Sequence, residues 1–98
     1  VTTLNEVSVF LSSKKNEIKT RYKVKEIGVF GSYAKNRQNE KSDLDLLVDF
    51  YEGGETFDNY MDLKILLEDS LKVRIDLVIK NSLREEIRKY ILAEVIYA

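Results

Sequence analysis

Cysteine and histidine are both absent from these 98 residues. Without cysteine there is no disulfide and no zinc–thiolate centre. Without histidine the chain lacks the usual general base, the usual activator of a nucleophile and the commonest transition-metal ligand. Any catalysis falls to carboxylates, Lys, Arg, Ser or Tyr, a set that favours hard cations such as Mg²⁺ or Mn²⁺ bound through oxygen. An excess of charge of one sign is missing too: 16 basic residues face 17 acidic ones, for a net charge of -1. That balance provides no global attraction to nucleic acid, so a polyanion needs a local site. No apolar run is long enough to span a bilayer, and the N-terminus lacks a signal-peptide pattern. A cytoplasmic chain with no membrane partner is the expectation. It starts at Val1 and not at Met, which leaves a trimmed N-terminus open.

What is present suffices for one domain over residues 1–98. Hydrophobic residues make up 44% of the chain, enough for a core. Thr3-Leu4-Asn5-Glu6 fits a capping box and predicts a helix that fades near Tyr22. Lys25 to Phe30 reads as a strand, Gly31-Ser32 as a turn, and Ser32 to Asn36 as a brief helix. Leu44 to Phe50 is a second strand, ended by Gly53-Gly54. Phe57, Tyr60, Leu63, Leu67 and Leu71 mark an amphipathic helix. Val73 to Ile79 is a third strand. Ser82-Leu83-Arg84-Glu85 is a second capping box, opening a final helix with Leu83, Ile87, Ile91 and Val95 on one face. That stripe most simply packs on the sheet as core, while Tyr90, Leu92, Ile96 and Tyr97 lie off it and either form an exposed apolar patch or complete the core around the first helix. A helix links strands two and three, which predicts a parallel pair, whereas the shorter first link favours an antiparallel one. The expected fold is α/β (α+β): a three-stranded mixed sheet with about four helices mainly on one face, leaving an aspartate face open.

Asp43 and Asp45 flank Leu44 at the start of the second strand, and residues two apart in a strand share a face. Side-by-side carboxylates repel unless a cation lies between them. Alternating acidic and apolar residues are also what any half-exposed strand shows. Aspartate is nevertheless disfavoured in strands, so two of them call for compensation, which a metal supplies. Asp76 lies inside the third apolar strand; it could pair with Arg74 or a nearby lysine. As the parallel neighbour of strand two, it would also approach Asp45. Three converging carboxylates match a two-metal site with cations ~4 Å apart. Gly31 permits positive φ and close approach of a ligand. A helix starting at Ser32 would aim free N–H groups at a phosphate, though Gly-Ser is also an ordinary strand-to-helix turn. Lys35 and Arg37 could meet outer phosphates or remain solvated loop charges.

The order and spacing of these elements resemble the minimal nucleotidyltransferases of the DNA polymerase β-like superfamily. The likeness rests on Gly28-Val29-Phe30-Gly31-Ser32-Tyr33-Ala34, on Asp43-Leu44-Asp45, on Asp76 in its strand, and on Ala93-Glu94-Val95-Ile96-Tyr97. Where members often carry Arg-Gly after Tyr-Ala, this chain has Lys35-Asn36. Asn tolerates the left-handed conformation that such a turn needs, but Lys lacks the bidentate fork of Arg.

The resemblance implies transfer of AMP from ATP to an acceptor hydroxyl. Asp43, Asp45 and Asp76 would be the catalytic metal ligands for two Mg²⁺ (or Mn²⁺) ions, with Asp76 on the acceptor side. Gly31, Ser32, Lys35 and Arg37 would bind the nucleotide. It further implies a HEPN-domain ribonuclease toxin as partner, with this chain as its antitoxin and a tyrosine of the toxin as acceptor; a homo- or hetero-oligomer is left open. A non-catalytic antitoxin that neutralises its partner by docking is the alternative. A small-molecule adenylyltransferase would need a further domain to shape its acceptor pocket. A template-directed polymerase would need that and a general hold on nucleic acid, which the net charge does not give.

Overall fold

The computed structural model describes residues 2–98. Its first helical stretch is two helices, α1 (Leu4–Ser13) and α2 (Lys15–Arg21), and not the single helix expected. Thr3 caps α1 as its sequence predicts, accepting the Glu6 N–H at 3.2 Å. The break follows from Ser13, whose hydroxyl donates back to the Phe10 carbonyl at 2.7 Å, a local bond that competes with helix continuation. Next come β1 (Val24–Phe30), the single turn α3 (Gly31–Ala34) and β2 (Leu44–Phe50). The chain then runs through α4 (Phe57–Leu71), β3 (Ile75–Ile79), a 3₁₀ turn (Lys80–Ser82), α5 (Glu85–Glu94) and β4 (Ile96–Tyr97).

The sheet order is β3-β2-β1-β4. β2 runs antiparallel to β1 and parallel to β3, as the two link lengths predict. The expected three strands become four, because the last residues leave the helix and pair antiparallel with Gly28 and Val29 of β1. With α1 and α2 separate, the described residues hold five α-helices where about four were expected.

Leu44, Leu46 and Val48 of β2 point into the main core, where they meet Val7 and Leu11 of α1, Ile18 of α2, and Leu63 and Leu67 of α4. All of these are essentially inaccessible to water, and each contributes about 1.5–3 kcal/mol of burial. The opposite face, which carries Asp45 and Asp49, is not fully open. Leu47 shares that face and is buried at 1% exposure. Its cross-strand partner is Gly28, and partners directly opposite share a face. A Cβ on Gly28 would lie 2.6 Å from Val95 Cγ2 and 3.0 Å from the Ile96 carbonyl oxygen. The α5–β4 junction therefore lies against this half of the sheet, and only glycine admits it that closely.

Two expectations at the C-terminus need correction. Ser82 does not cap a helix: its hydroxyl donates to the Ile79 carbonyl within the 3₁₀ turn, and α5 starts at Glu85. Nor do Leu83, Ile87, Ile91 and Val95 form a core stripe. No residue of α5 is buried, and Ile87 is 50% exposed. The ten residues of α5 pack chiefly against the single turn α3, which is too short to cover a whole helical face. Ile87, Tyr90, Ile96 and Tyr97 stay exposed together.

Candidate active site

The register of β2 puts Asp45 beside Phe30 of β1 on one side and beside Asp76 of β3 on the other. Phe30 is the last residue before Gly31, so Asp45 sits at the mouth of the turn. Gly31 has φ +72, a conformation that L side chains rarely adopt, and a Cβ there would collide with the Asp45 carboxylate. Both facts independently require glycine.

Asp45 is half-buried. Its carboxyl is pushed up to about 6, first by loss of solvation and then by the charges of Asp76, Asp43 and Glu94. Four carboxylates thus share one region, and a cation would relieve that repulsion. The oxygen-only donors suit Mg²⁺ or Mn²⁺, so the residues fit the divalent ions that the fold implies. Among the described residues the acids do not close into a preformed cluster of three metal ligands. Asp43, just outside β2, instead pairs with Arg74 Nε at 3.1 Å. Arg74 therefore serves Asp43 and not Asp76, the partner considered for it from sequence.

Asp76 itself is exposed on an edge strand, but the backbone around it is fixed. The Ile75 N–H donates to Glu68 of α4 at 3.0 Å, and the Leu77 carbonyl accepts the Tyr60 hydroxyl of α4 at 2.7 Å. Helix α4 thereby clamps the residues on either side of Asp76 and sets its height against Asp45.

The phosphate side differs in two ways from expectation. α3 begins at Gly31 and is one turn long, so the dipole of a longer helix is not available and individual N–H groups must serve. Asn36, at φ 57, takes the left-handed position that its side chain tolerates, and the turn closes through Arg37 N–H to the Ser32 carbonyl at 2.8 Å. Ser32 is partly exposed in α3, and Arg37 is exposed in the loop beyond it. Lys35 is exposed as well but engaged, with its ammonium 3.2 Å from Glu94 Oε2. Glu94 Oε1 accepts the Gly31 N–H at 3.1 Å. No role for Glu94 follows from the sequence. An acid in the last turn of an amphipathic helix carries no signal of its own, and only the return of the chain through β4 brings it to Gly31.

A cleft of about 550 Å³ opens on the Asp43 side, lined among others by Tyr33, Ser42, Leu71 and Arg74. No helix among the described residues is long and apolar enough to cross a membrane.

Residues 11–98 match the model of the nucleotidyltransferase domain family. The protein adenylyltransferase MntA of Thermococcus cleftensis is 44% identical over 95 residues, spanning 97% of this chain and 95% of the relative. A solved structure described as a minimal nucleotidyltransferase superposes with a TM-score of 0.84 at 35% identity, covering 97% of this chain and 95% of the other. A chain from a crystal structure of a toxin–antitoxin with AMP-PNP superposes with a TM-score of 0.66 at 25% identity, covering 87% and 69%.

Proposed function

The chain belongs to the minimal nucleotidyltransferases of the nucleotidyltransferase domain family, and from that premise we propose that it transfers AMP from ATP to a protein hydroxyl. The acceptor we infer is a tyrosine of a HEPN-type ribonuclease toxin, which makes this chain the antitoxin. The observation that carries the reading is the register that sets Asp45 beside Asp76 at the mouth of the Gly31–Ser32 turn. The name of the Thermococcus relative and the nucleotide analogue in the toxin–antitoxin structure support it.

Asp43, Asp45 and Asp76 would hold the divalent ions, with Asp43 exchanging its pairing to Arg74. Bound there, the ions would supply charge neutralisation for the departing pyrophosphate and favour the ionised acceptor. Gly31, Ser32, Lys35 and Arg37 would orient the triphosphate. The acceptor oxygen bonds to the α-phosphorus, the bond from that phosphorus to its bridging oxygen breaks, and pyrophosphate leaves with the electron pair. Asp76, exposed on the sheet edge, would take the hydroxyl proton. An open edge at Asp76 suits a macromolecular acceptor better than a small one.

The test combines the purified partner, Mg²⁺ and ATP labelled on its α-phosphate. The partner is expected to gain one AMP on tyrosine, and Asp45→Ala is expected to slow this by on the order of 10³-fold or more. If Asp45→Ala neutralises the toxin as well as the wild type and no label transfers in either case, docking without catalysis is the correct function.

A further inference from the structure

The Gly31 N–H and the Lys35 ammonium are two of the groups that the proposed function assigns to the triphosphate. One side chain already holds both. Glu94 gives one carboxylate oxygen to each, at 3.1 Å and 3.2 Å. A carboxylate presents two acceptor oxygens and a negative charge in the way that one edge of a phosphate does. Glu94 closes α5 and stands immediately before β4, which pairs with Gly28 and Val29 of the strand leading into the turn. Its backbone is therefore anchored next to the cradle, while its side chain, 28% exposed, has solvent to swing into.

We propose that Glu94 is a resident anion of the phosphate cradle, displaced from Gly31 and Lys35 when a nucleoside triphosphate binds. The inference rests on the nucleotide reading of that turn. The physical reason is competition: the same donors cannot satisfy Glu94 and a phosphate at once, and the two anions repel each other. Ejecting Glu94 frees both donors and removes one of the three acids crowding Asp45. It also couples cradle occupancy to the α5–β4 junction, because the displaced group directly precedes Val95, which rests on Gly28.

Glu94→Gln keeps an acceptor for the Gly31 N–H and removes the charge facing Lys35. Calorimetry with Mg²⁺ and a non-hydrolysable ATP analogue is expected to give a Kd about two- to tenfold lower than wild type, the range of a partly exposed ion pair plus its repulsion of phosphate. Glu94→Ala should also bind more tightly. Carbon-13 NMR of the wild-type Glu94 side-chain carboxylate provides a measurement that needs no variant: saturation with the analogue is expected to move its resonance. Equal or weaker binding by both variants, or an unmoved Glu94 resonance in nucleotide-saturated wild type, overturns the inference and leaves the nucleotide site standing. Absence of Mg²⁺-dependent binding by the wild type overturns the nucleotide reading itself, and this inference with it.

Discussion

Asp45→Asn is expected to stabilise the metal-free protein above about pH 4, and in full above about pH 6. In the folded chain the Asp45 carboxyl is pushed up to about 6, by lost solvation and by Asp76, Asp43 and Glu94, whereas an unfolded aspartate titrates near ~3.9. The folded state therefore holds the proton more tightly than the unfolded one. Below the unfolded value both states are protonated and the carboxyl carries no penalty. Between about pH 4 and pH 6 the penalty grows, and above about 6 it is complete. Two units correspond to a ceiling of about 3 kcal/mol. Because Asp45 is half-buried, solvent screening reduces this to about 1–1.5 kcal/mol. For a domain of this size that is a rise in Tm of about 4–10 °C. Scanning calorimetry in a chelator at pH 4 and pH 7.5 reads the difference between variant and wild type, in which titrating groups remote from Asp45 cancel. Saturating Mg²⁺ should narrow the gap at pH 7.5, because a ligand that binds only the wild-type site stabilises only the wild type. Asp43→Asn is the control: its carboxylate already has Arg74 and is half exposed, so its effect should stay within about 0.5 kcal/mol. An Asp45→Asn variant no more stable than wild type at pH 7.5, or one whose advantage is the same at pH 4, would refute the reasoning.

Gly31→Val should lose about 2–4 kcal/mol of stability, since it combines a left-handed backbone with a side chain driven against Asp45; chemical denaturation checks this. On nucleotide affinity it should also be the worse of two variants, with Ser32→Ala keeping the backbone donor, and the reverse order contradicts the cradle. Tyr60→Phe removes the hydroxyl bonded to the Leu77 carbonyl and should cost about 0.5–1.5 kcal/mol in urea unfolding, with amide exchange quickening around Asp76. Lys72, the C-terminal cap of α4, has φ 58. Lys72→Gly relieves that conformation and should raise stability by about 0.5–1 kcal/mol in the same assay.

Much of this protein can be read from its linear order. The bounds of β2 and α4, the antiparallel and parallel links and the glycine at the turn all follow from local pattern and connection length. Alternation along Leu44-Asp45-Leu46 separates the core face from the acid face without any tertiary information, because the strand period is two. Lys35-Asn36 announces a left-handed residue, which Asn36 adopts. The C-terminal region escaped the same logic. An apolar stripe at helical spacing states that a face is sticky, but not that anything lies opposite it; α5 found chiefly the short turn α3 and left Ile87 and Tyr90 in water. Two residues after the helix became a strand because β1 had a free edge, a fact about the sheet and not about Ile96-Tyr97. Tertiary structure alone gave Arg74 to Asp43, and clamped Asp76 through Glu68 and Tyr60 of α4. It alone brought Glu94 to Gly31 across 63 positions of chain. Local propensity acts over a few residues, so it can place each carboxylate on an element. Which carboxylates meet, and which donors they occupy when they do, depends on how those elements pack.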